Sequence, residues 1–419
     1  MRVLIIGAGL LGLTTAHFLR RHGCDVVVVE RAPGPGLETS FANGGMLHAS
    51  QANPWNEPGV LWRALKMLGR EDSPLLFRPH ALPRMLGWSL GFVRYSAPAR
   101  YARSVELNAR LAKYSLGVMR ELRSECAFDY DYVGRGTLKI FRTPQEVAAG
   151  SALLAPLAGW DIPYTQVDGA GAAALEPALA PIADRIAGGV HFPQDEAGDA
   201  YRFCVGLAAQ CAAAGVEFHY ESGVAALSAD GRGVRARLVY GREIAAGRCV
   251  IAAGSYTPLL ARDLGLKVPV QPAKGYSITL PLNGWSAPPV VPVIDDHLHA
   301  AVCPLGDRLR VAGTAEFTGY DVEPTASRIR NLFGLVAKLY PAFAPHCDEA
   351  KAERWAGLRP MSADGVGIMG ATKIPGVYLN TGHGPLGWTM AAGAGQAVAD
   401  EVAGRPAGLD LAPYRLARF

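Results

Sequence analysis

Two short, fully apolar runs near the start of the chain flank a segment with helical periodicity. Residues 3–6 and 26–29 contain only valine, leucine and isoleucine, which is typical of strands buried on both faces of a parallel sheet. Between them, residues 13–22 have an apolar side and a polar side, as an amphipathic helix does. The pattern therefore predicts a strand–helix–strand unit. A further buried strand is predicted at residues 248–255.

The rest of the pattern divides the chain into stretches of different character. Strands and helical stretches alternate, and glycine-rich segments return near residue 355. Strands are predicted within 129–141, 188–192, 216–220 and 268–311, and helical spacing occupies 61–123, 201–214, 325–339 and 390–402. This order predicts an α/β fold in which a Rossmann-like cofactor domain of discontinuous segments carries an inserted α+β substrate-binding domain, a mixed sheet plus helices. The predicted boundaries are 1–50, 195–265 and 355–419 for the cofactor domain, and 51–194 and 266–354 for the inserted domain.

The glycine-rich hexapeptide after the first strand has the form of a dinucleotide-binding fingerprint. Gly7 permits a tight turn, Gly9 lets the backbone approach a pyrophosphate, and Gly12 lets the helix pack on the sheet. The N–H groups and dipole of the helix start favour an anion. Glu30, after the second strand, suits the ribose hydroxyls and disfavours NADP, so FAD and NAD remain open. The hexapeptide is Gly7-Ala8-Gly9-Leu10-Leu11-Gly12.

Three other segments rich in small residues are predicted to approach the same cofactor. They are the loop after Glu30, the end of the strand at 248–255, and the glycine loop 380–389 that leads into a helix. The alternatives are a surface loop for the first and an ordinary packing turn for the last. The further candidate cofactor residues are Arg31, Ser40, Asn43, Gly44, Gly45, Met46, Val224, Ala253, Gly254, Gly384, Leu386, Gly387, Trp388 and Thr389.

Arg359 is the strongest candidate for binding a substrate. It lies between Gly357, where we expect a turn, and Pro360, so its backbone is expected to be well fixed. A fixed guanidinium suits bidentate binding of a carboxylate, and a buried structural salt bridge is the alternative. His48 and His299 are candidate pocket residues. The cluster at 295–299 matches no standard zinc spacing, so we predict no metal.

Composition narrows the function further. The net charge of +4 over 419 residues is too small to indicate a nucleic-acid partner. The seven cysteines form no C-x-x-C pair, which favours reduced thiols and a cytoplasmic location. No apolar run approaches the ~18–20 residues of a membrane span. No P-loop lysine motif occurs, and the G-x-S-x-G match at residues 87–91 lies inside the helical stretch 61–123 and not after a strand, so kinase and hydrolase functions have no support.

Residues 61–123 are unusually basic. They contain twelve lysines and arginines against four acidic residues, with Trp62, Trp88 and Phe92 among the interleaved aromatics. A basic segment with aromatic residues is suited to an anionic membrane surface, which would place the protein peripherally on the inner face of the cell membrane. The alternative is a helical cap whose charges face water.

The motifs carry a family resemblance that extends nearly from end to end. The chain resembles the D-amino-acid dehydrogenase (small subunit) flavoproteins, within the wider D-amino-acid oxidase and glycine oxidase superfamily. The blocks that carry the resemblance are residues 37–43, 136–138, 176–179, 195–199, 274–277, 357–361, 379–384 and 386–390.

The resemblance implies FAD as the cofactor and oxidative deamination of a D-amino acid as the reaction. A hydride would pass from the α-carbon to flavin N5, the imino acid would hydrolyse to a 2-oxo acid and ammonia, and a quinone or another non-oxygen acceptor would take the electrons. Arg359 is implied to bind the substrate carboxylate, with the loop 384–389 near the flavin. Tyr276, in one of the matching blocks, joins His48 and His299 as a catalytic candidate.

One departure from the family pattern leaves the substrate open. Leu298 stands where a pocket tyrosine would align, which allows another side chain or a secondary amine such as D-proline. The alternative functions are an oxygen-using amine oxidase of the glycine or sarcosine type and an FAD-binding subunit that serves a partner. An NAD-dependent dehydrogenase has the least support, because the sequence indicates no nicotinamide site beyond the first glycine loop.

Overall fold

The computed structural model describes residues 1–60, 62, 71, 73, 75–152 and 154–419. The predicted helical stretch 61–123 therefore lies partly outside the described residues, at 61, 63–70, 72 and 74. The strands, in chain order, are β1 (Arg2–Ile6), β2 (Asp25–Val29), β3 (Met46–Leu47), β4 (Leu75–Phe77), β5 (Thr137–Phe141), β6 (Thr165–Val167), β7 (Gly188–Phe192), β8 (Glu196–Ala197), β9 (Glu217–His219), β10 (Val224–Ala229), β11 (Val234–Leu238), β12 (Glu243–Ala246), β13 (Arg248–Ile251), β14 (Val270–Pro281), β15 (Val293–Asp295), β16 (Ala300–Leu305), β17 (Arg308–Phe317), β18 (Glu353–Ser362), β19 (Ile368–Ala371) and β20 (Val377–Thr381). The α-helices are α1 (Leu10–Arg21), α2 (Leu82–Tyr95), α3 (Pro98–Glu125), α4 (Pro144–Ala152), α5 (Ala155–Ala158), α6 (Gly169–Leu175), α7 (Ala200–Ala213), α8 (Thr257–Ala261), α9 (Ala326–Leu339) and α10 (Gly387–Ala403).

The apolar runs of the sequence form the centre of a largely parallel sheet. Its strand order is β19-β20-β13-β1-β2-β9, and β1 pairs in parallel with both β2 and β13. The predicted strand–helix–strand unit is confirmed, except that α1 begins at Leu10, within the glycine hexapeptide. Leu10 and Leu11 are buried, so the end of the hexapeptide already forms the first helical turn. The helix N-terminus is thereby brought close to the end of β1.

Alternate residues of β1 face two different layers, as the pleat of a strand requires. Val3 and Ile5 pack against helices α1, α3, α7 and α10. Leu4 and Ile6 pack against the antiparallel sheet β10-β11-β12. The parallel sheet is therefore covered on both faces, which explains its unbroken apolar strands.

Small residues let α10 lie close to its neighbours. A Cβ added at Gly395 would lie 2.3 Å from Thr14 Oγ1 of α1, and one at Gly393 would lie 2.7 Å from the Ser115 Cα of α3. The Thr14 hydroxyl also donates to the carbonyl of Ala391 at 2.8 Å. These contacts fix the helical layer against which the end of β1 is held.

A second, mixed sheet forms the other half of the fold. Its order is β18-β14-β17-β16-β15-β5-β7-β6, and β4 pairs with the end of β17. Helix α9 packs on this sheet through Ile329, Leu332 and Val336, and these side chains share one core with Tyr276 and Ile278 of β14. A mixed sheet with helices agrees with the predicted α/β class. The exact domain boundaries stay a prediction.

Two predictions of secondary structure need correction. Residues 129–136 do not form a strand: Val133 makes only an isolated bridge to Ala197, and Asp131 has a φ of 55°. The Asp131 carboxylate accepts hydrogen bonds from Arg202 and Arg308 at 2.7 Å each, and these bonds hold that left-handed turn in place. The expected turn at Gly357 is also wrong, because Gly357 lies inside the extended strand β18.

Proline divides the described part of the basic segment into separate helices. Pro83 stands in the first turn of α2 and Pro98 begins α3, positions at which a missing N–H costs nothing. Helix α3 carries exposed ion pairs from Arg103 and Arg110 to Glu106. Among the helices that the structure describes, none combines the length and the apolar character that crossing a membrane would need.

Candidate active site

A cavity of about 1070 Å³ is lined by both sheets and by the loops that connect them. One end is formed by the carboxyl ends of β1, β2 and β13, and the other by β14, β17 and β18. Ligands of open α/β folds bind outside the carboxyl ends of parallel strands. Small-molecule sites usually have volumes of about 300–1,000 Å³, so this cavity has room for a large cofactor together with a small substrate.

The glycine fingerprint forms the first end of the cavity. Gly7 has a φ of 107°, and a Cβ there would lie 2.7 Å from the Ala252 carbonyl oxygen. A Cβ at Gly12 would lie only 1.9 Å from the Gly7 carbonyl oxygen. Glu30 lines the cavity, and its carboxylate accepts the N–H groups of Ala8 at 2.8 Å and Ala32 at 2.9 Å. The loop, the helix start and the carboxylate therefore form one rigid cradle.

Most of the predicted site residues meet at this cavity. Those that line it are Gly7, Gly9, Leu10, Leu11, Glu30, Arg31, Ser40, Asn43, Gly44, Gly45, Met46, His48, Val224, Ala253, Gly254, Tyr276, His299, Arg359, Gly384, Gly387 and Trp388. Ala8, Gly12, Leu386 and Thr389 are buried outside its lining. For these we propose supporting roles; Thr389 Oγ1, for example, accepts the backbone N–H of His48 at 3.1 Å.

Strand β18 presents Arg359 to the cavity. Trp355, Gly357 and Arg359 alternate along the strand and all line the cavity, as residues on one face of a strand do. The Arg359 guanidinium donates to the Thr314 carbonyl oxygen at 3.3 Å and lies 5.4 Å from the centre of the Trp55 ring. No carboxylate among the described residues forms an ion pair with it, so the salt-bridge alternative has no support. An arginine without an acidic partner is suited to an anionic ligand.

Two glycines that face each other across β14 and β18 make room for these side chains. Gly275 pairs with Gly357 in the register of the two strands. A Cβ at Gly275 would lie 2.4 Å from the Arg359 guanidinium, and one at Gly357 would lie 2.1 Å from the Trp355 ring. The guanidinium and the indole therefore lie flat across the sheet, over backbone that carries no side chain.

A bulge in β17 completes the setting of Arg359. Thr314 has a φ of 58° and stands where the pairing of β14 with β17 shifts by one residue, between Gly275 and Tyr276. Bulges and left-handed non-glycine residues often occur next to functional sites, where they redirect a group. Here the bulge turns the Thr314 carbonyl toward Arg359.

Gly275→Ala is expected to displace the guanidinium and raise the KM for a substrate with a carboxylate about tenfold, as loss of one well-oriented charged hydrogen bond does. The glycine fingerprint lies at the other end of the cavity, so the cofactor content read from the visible spectrum should not change. Steady-state kinetics and the spectrum check this. Gly334→Ala, in open space on α9, is the control and should leave KM unchanged. An unchanged KM in Gly275→Ala would contradict the assigned position of the guanidinium.

The environment of Arg359 predicts a pH dependence. Burial lowers its pKa to about 10. The group is charged below that pH, so anion binding should be constant at neutral pH and weaken about tenfold per unit above the pKa. Calorimetric titration with propionate, which has no amine to titrate, measures this from pH about 8 to about 11. Arg359→Leu should bind weakly and show no such dependence.

The other catalytic candidates have different surroundings. The Tyr276 hydroxyl is buried, donates to Glu316 at 2.6 Å and lies 3.0 Å from Thr325 Oγ1, contacts that suit a structural role; its catalytic role stays a prediction. Burial lowers the pKa of His48 to about 4, which leaves a neutral ring at pH 7. His299 is exposed, has a φ of 49°, and lines the cavity. Leu298 is not among the described residues that line the cavity. The neighbouring His299, which is exposed, lines this part of the wall.

Sequence reasoning missed several residues of the cavity wall. Trp55 and Thr314 line it from outside the segments singled out in the sequence, and Gly275 and His383 line it from inside such segments without having been named as site residues. Gly275 had a readable signal, since a glycine inside a strand often marks a close approach of another group. Trp55 and Thr314 had none, because only the folded chain brings them to Arg359.

Comparison with known proteins decides the family. A profile described as "FAD dependent oxidoreductase" (DAO) matches residues 2–401. The chain belongs to this family. A D-amino acid dehydrogenase of Sinorhizobium medicae is 41% identical over 419 residues, which covers 100% of both chains. One of Paramagnetospirillum magneticum is 42% identical over 420 residues and covers 100% of this chain and 99% of its own.

The family has a shared fold and a shared cofactor. The glycine oxidase structure from Geobacillus kaustophilus superposes with a TM-score of 0.78, at 23% identity and with 100% and 99% of the two chains covered. The chain is thus an FAD-dependent oxidoreductase, which confirms the predicted fold class and cofactor. The rigid cradle of Gly7, Gly12 and Glu30 fits a dinucleotide. We propose that this cradle holds the pyrophosphate and ribose of FAD.

Proposed function

We propose that the protein is a D-amino-acid dehydrogenase that binds its substrate by the carboxylate at Arg359. The observation that carries the proposal is this guanidinium, which faces the cavity without a carboxylate partner among the described residues. The full-length relatives named D-amino acid dehydrogenase support the substrate class. The product would be an imino acid, which water hydrolyses to a 2-oxo acid and ammonia.

The proposed reaction requires the protein mainly to position its substrate. Bound FAD would supply flavin N5 as the acceptor of the hydride from the α-carbon. Arg359 orients the carboxylate, and the indoles of Trp55 and Trp355 give the cavity apolar walls. An apolar site disfavours the ammonium form by desolvation, so it promotes the neutral amine from which a hydride can leave. No general base is assigned.

We also infer that the electrons pass to a quinone or another non-oxygen acceptor, and that the protein works in the cytoplasm or on the inner face of the cell membrane. The names of the relatives, which are dehydrogenases, support a non-oxygen acceptor. The basic segment 61–123 supports proximity to an anionic surface.

The deciding experiment is anaerobic addition of D-alanine, D-proline and their L-isomers to the purified yellow protein. We expect the flavin absorbance to bleach with a D-amino acid and to persist with L-alanine and L-proline. Re-oxidation is then compared between air and an artificial dye. Fast dye reduction with little peroxide supports a dehydrogenase, and rapid peroxide formation would instead indicate an oxidase. Failure of every D-amino acid to bleach the flavin would refute the proposal.

A further inference from the structure

Helix α2 leaves an apolar stripe uncovered on the protein surface. Leu82, Leu86, Leu90 and Val93 follow one another at helical spacing and are all exposed, Leu86 by 65% and Leu90 by 74%. An amphipathic surface helix normally turns such a stripe toward the core. Here the stripe points outward, and contiguous exposed apolar residues mark an interaction surface.

A second face of α2 is firmly attached to the fold. Met85 and Trp88 are buried in a cluster with Phe317 and Met361. The indole N–H of Trp88 donates to the Met361 carbonyl oxygen at 2.9 Å. The outward stripe is therefore not a helix that has failed to pack, because a second apolar face of the same helix already holds it in place.

The sequence that contains the stripe carries charge of a single sign. Residues 75–105 contain five arginines and neither aspartate nor glutamate. Arg84, Arg94 and Arg100 are exposed, and none of these three pairs with a carboxylate of the described residues. Arg94 follows the stripe directly, and Arg100 donates to the Arg94 carbonyl oxygen at 3.2 Å. Exposed arginines on and next to a helix that also exposes leucines suit a surface that is apolar inside and anionic outside.

We propose that α2 docks the protein on an anionic lipid surface, with the stripe in the acyl boundary and the arginines at the headgroups. A second copy of the chain would fit poorly, since a symmetric contact through this face would bring arginines against arginines. This docking role rests on the proposed function, in which a quinone or another non-oxygen acceptor takes the electrons, and it names α2 as the surface that contacts the membrane. Leu75 lines the cavity only seven residues before α2, so docking would bring a lipid-soluble electron acceptor close to the cavity.

The test is co-sedimentation of the FAD-loaded full chain with vesicles of phosphatidylglycerol or of phosphatidylcholine. We expect binding to phosphatidylglycerol that weakens with salt, and little binding to phosphatidylcholine. The double variant Leu86→Ser/Leu90→Ser and the triple variant Arg84→Gln/Arg94→Gln/Arg100→Gln should each bind at least tenfold more weakly. Val205→Ser, an exposed apolar position on α7, is the matched control and should bind like the wild type.

Dye-linked oxidation of a D-amino acid, measured on every variant, separates this inference from the proposed function. Turnover of the leucine and arginine variants should equal that of the wild type, because none of these side chains lines the cavity. Absence of vesicle binding by an active wild type would overturn the docking surface and leave the enzyme activity standing. Equal binding of wild type and leucine variant would also overturn it. A dimer held together through the stripe, detected by sedimentation velocity, would overturn the docking surface as well.

Discussion

Arg359→Leu is expected to lower kcat/KM for a D-amino acid about a thousandfold. The variant removes the cation that we propose faces the substrate carboxylate, and it would leave that charge in an apolar cavity. Loss of one partner from a buried, hydrogen-bonded charge pair costs about 2–5 kcal/mol, and about 4 kcal/mol corresponds to this factor. Arg359→Lys should recover only part of the activity, because an ammonium lacks the planar fork that lies over Gly275. Steady-state kinetics with D-alanine measure both.

Arg354→Leu is the matched control for this experiment. Arg354 lies on the same strand, β18, but is exposed and does not line the cavity. Its replacement should change kcat/KM by less than about twofold, as surface substitutions usually do. The flavin content should be the same in all three variants. A small loss in Arg359→Leu, close to that of the control, would mean that the carboxylate binds elsewhere.

The cofactor end of the site was predictable because its determinants are local in sequence. Gly7, Gly12 and Glu30 belong to one strand–helix–strand unit, and their spacing alone encodes the turn, the helix contact and the carboxylate. The same holds for the unbroken apolar strands, since burial on both faces leaves a direct mark on composition. Some element boundaries were misplaced: α1 begins at Leu10, the strand predicted at 248–255 ends at Ile251, and the helix predicted at 390–402 begins at Gly387. Such boundaries depend on packing of residues such as Leu10 against the core.

The substrate end was predictable only in part, because its determinants meet across long distances in the chain. Arg359 was identified, but its supposed turn is a strand, and the actual constraint is the pairing of Gly357 with Gly275. Trp55 and Thr314 come from other segments and reach Arg359 only in the folded state. Tyr276 shows the converse case: a motif position suggests chemistry, while the structure turns its hydroxyl into the core toward Glu316.

Gly12→Ala is expected to separate α1 from β1 and to weaken both folding and cofactor binding. The added Cβ would lie 1.9 Å from the Gly7 carbonyl oxygen, so the helix start must move away from the loop. Overpacking of this kind costs about 1–3 kcal/mol or more, and the shifted N–H groups no longer converge on one anion. We expect a Tm several degrees lower and an FAD affinity reduced at least tenfold, measured by thermal unfolding and by fluorescence titration of the apoprotein.

Gly117→Ala distinguishes this contact from a general effect of adding a methyl group to a helix. Gly117 lies inside α3, and a Cβ there would meet nothing within 4 Å. Because alanine is a better helix former by about 0.5–1 kcal/mol, the control should keep or raise the Tm and leave FAD affinity unchanged. Equal behaviour of the two variants would show that the approach of α1 to Gly7 does not form the cofactor site. Loss confined to Gly12→Ala would instead tie FAD binding to the closeness of helix and strand, which only a glycine at this position allows.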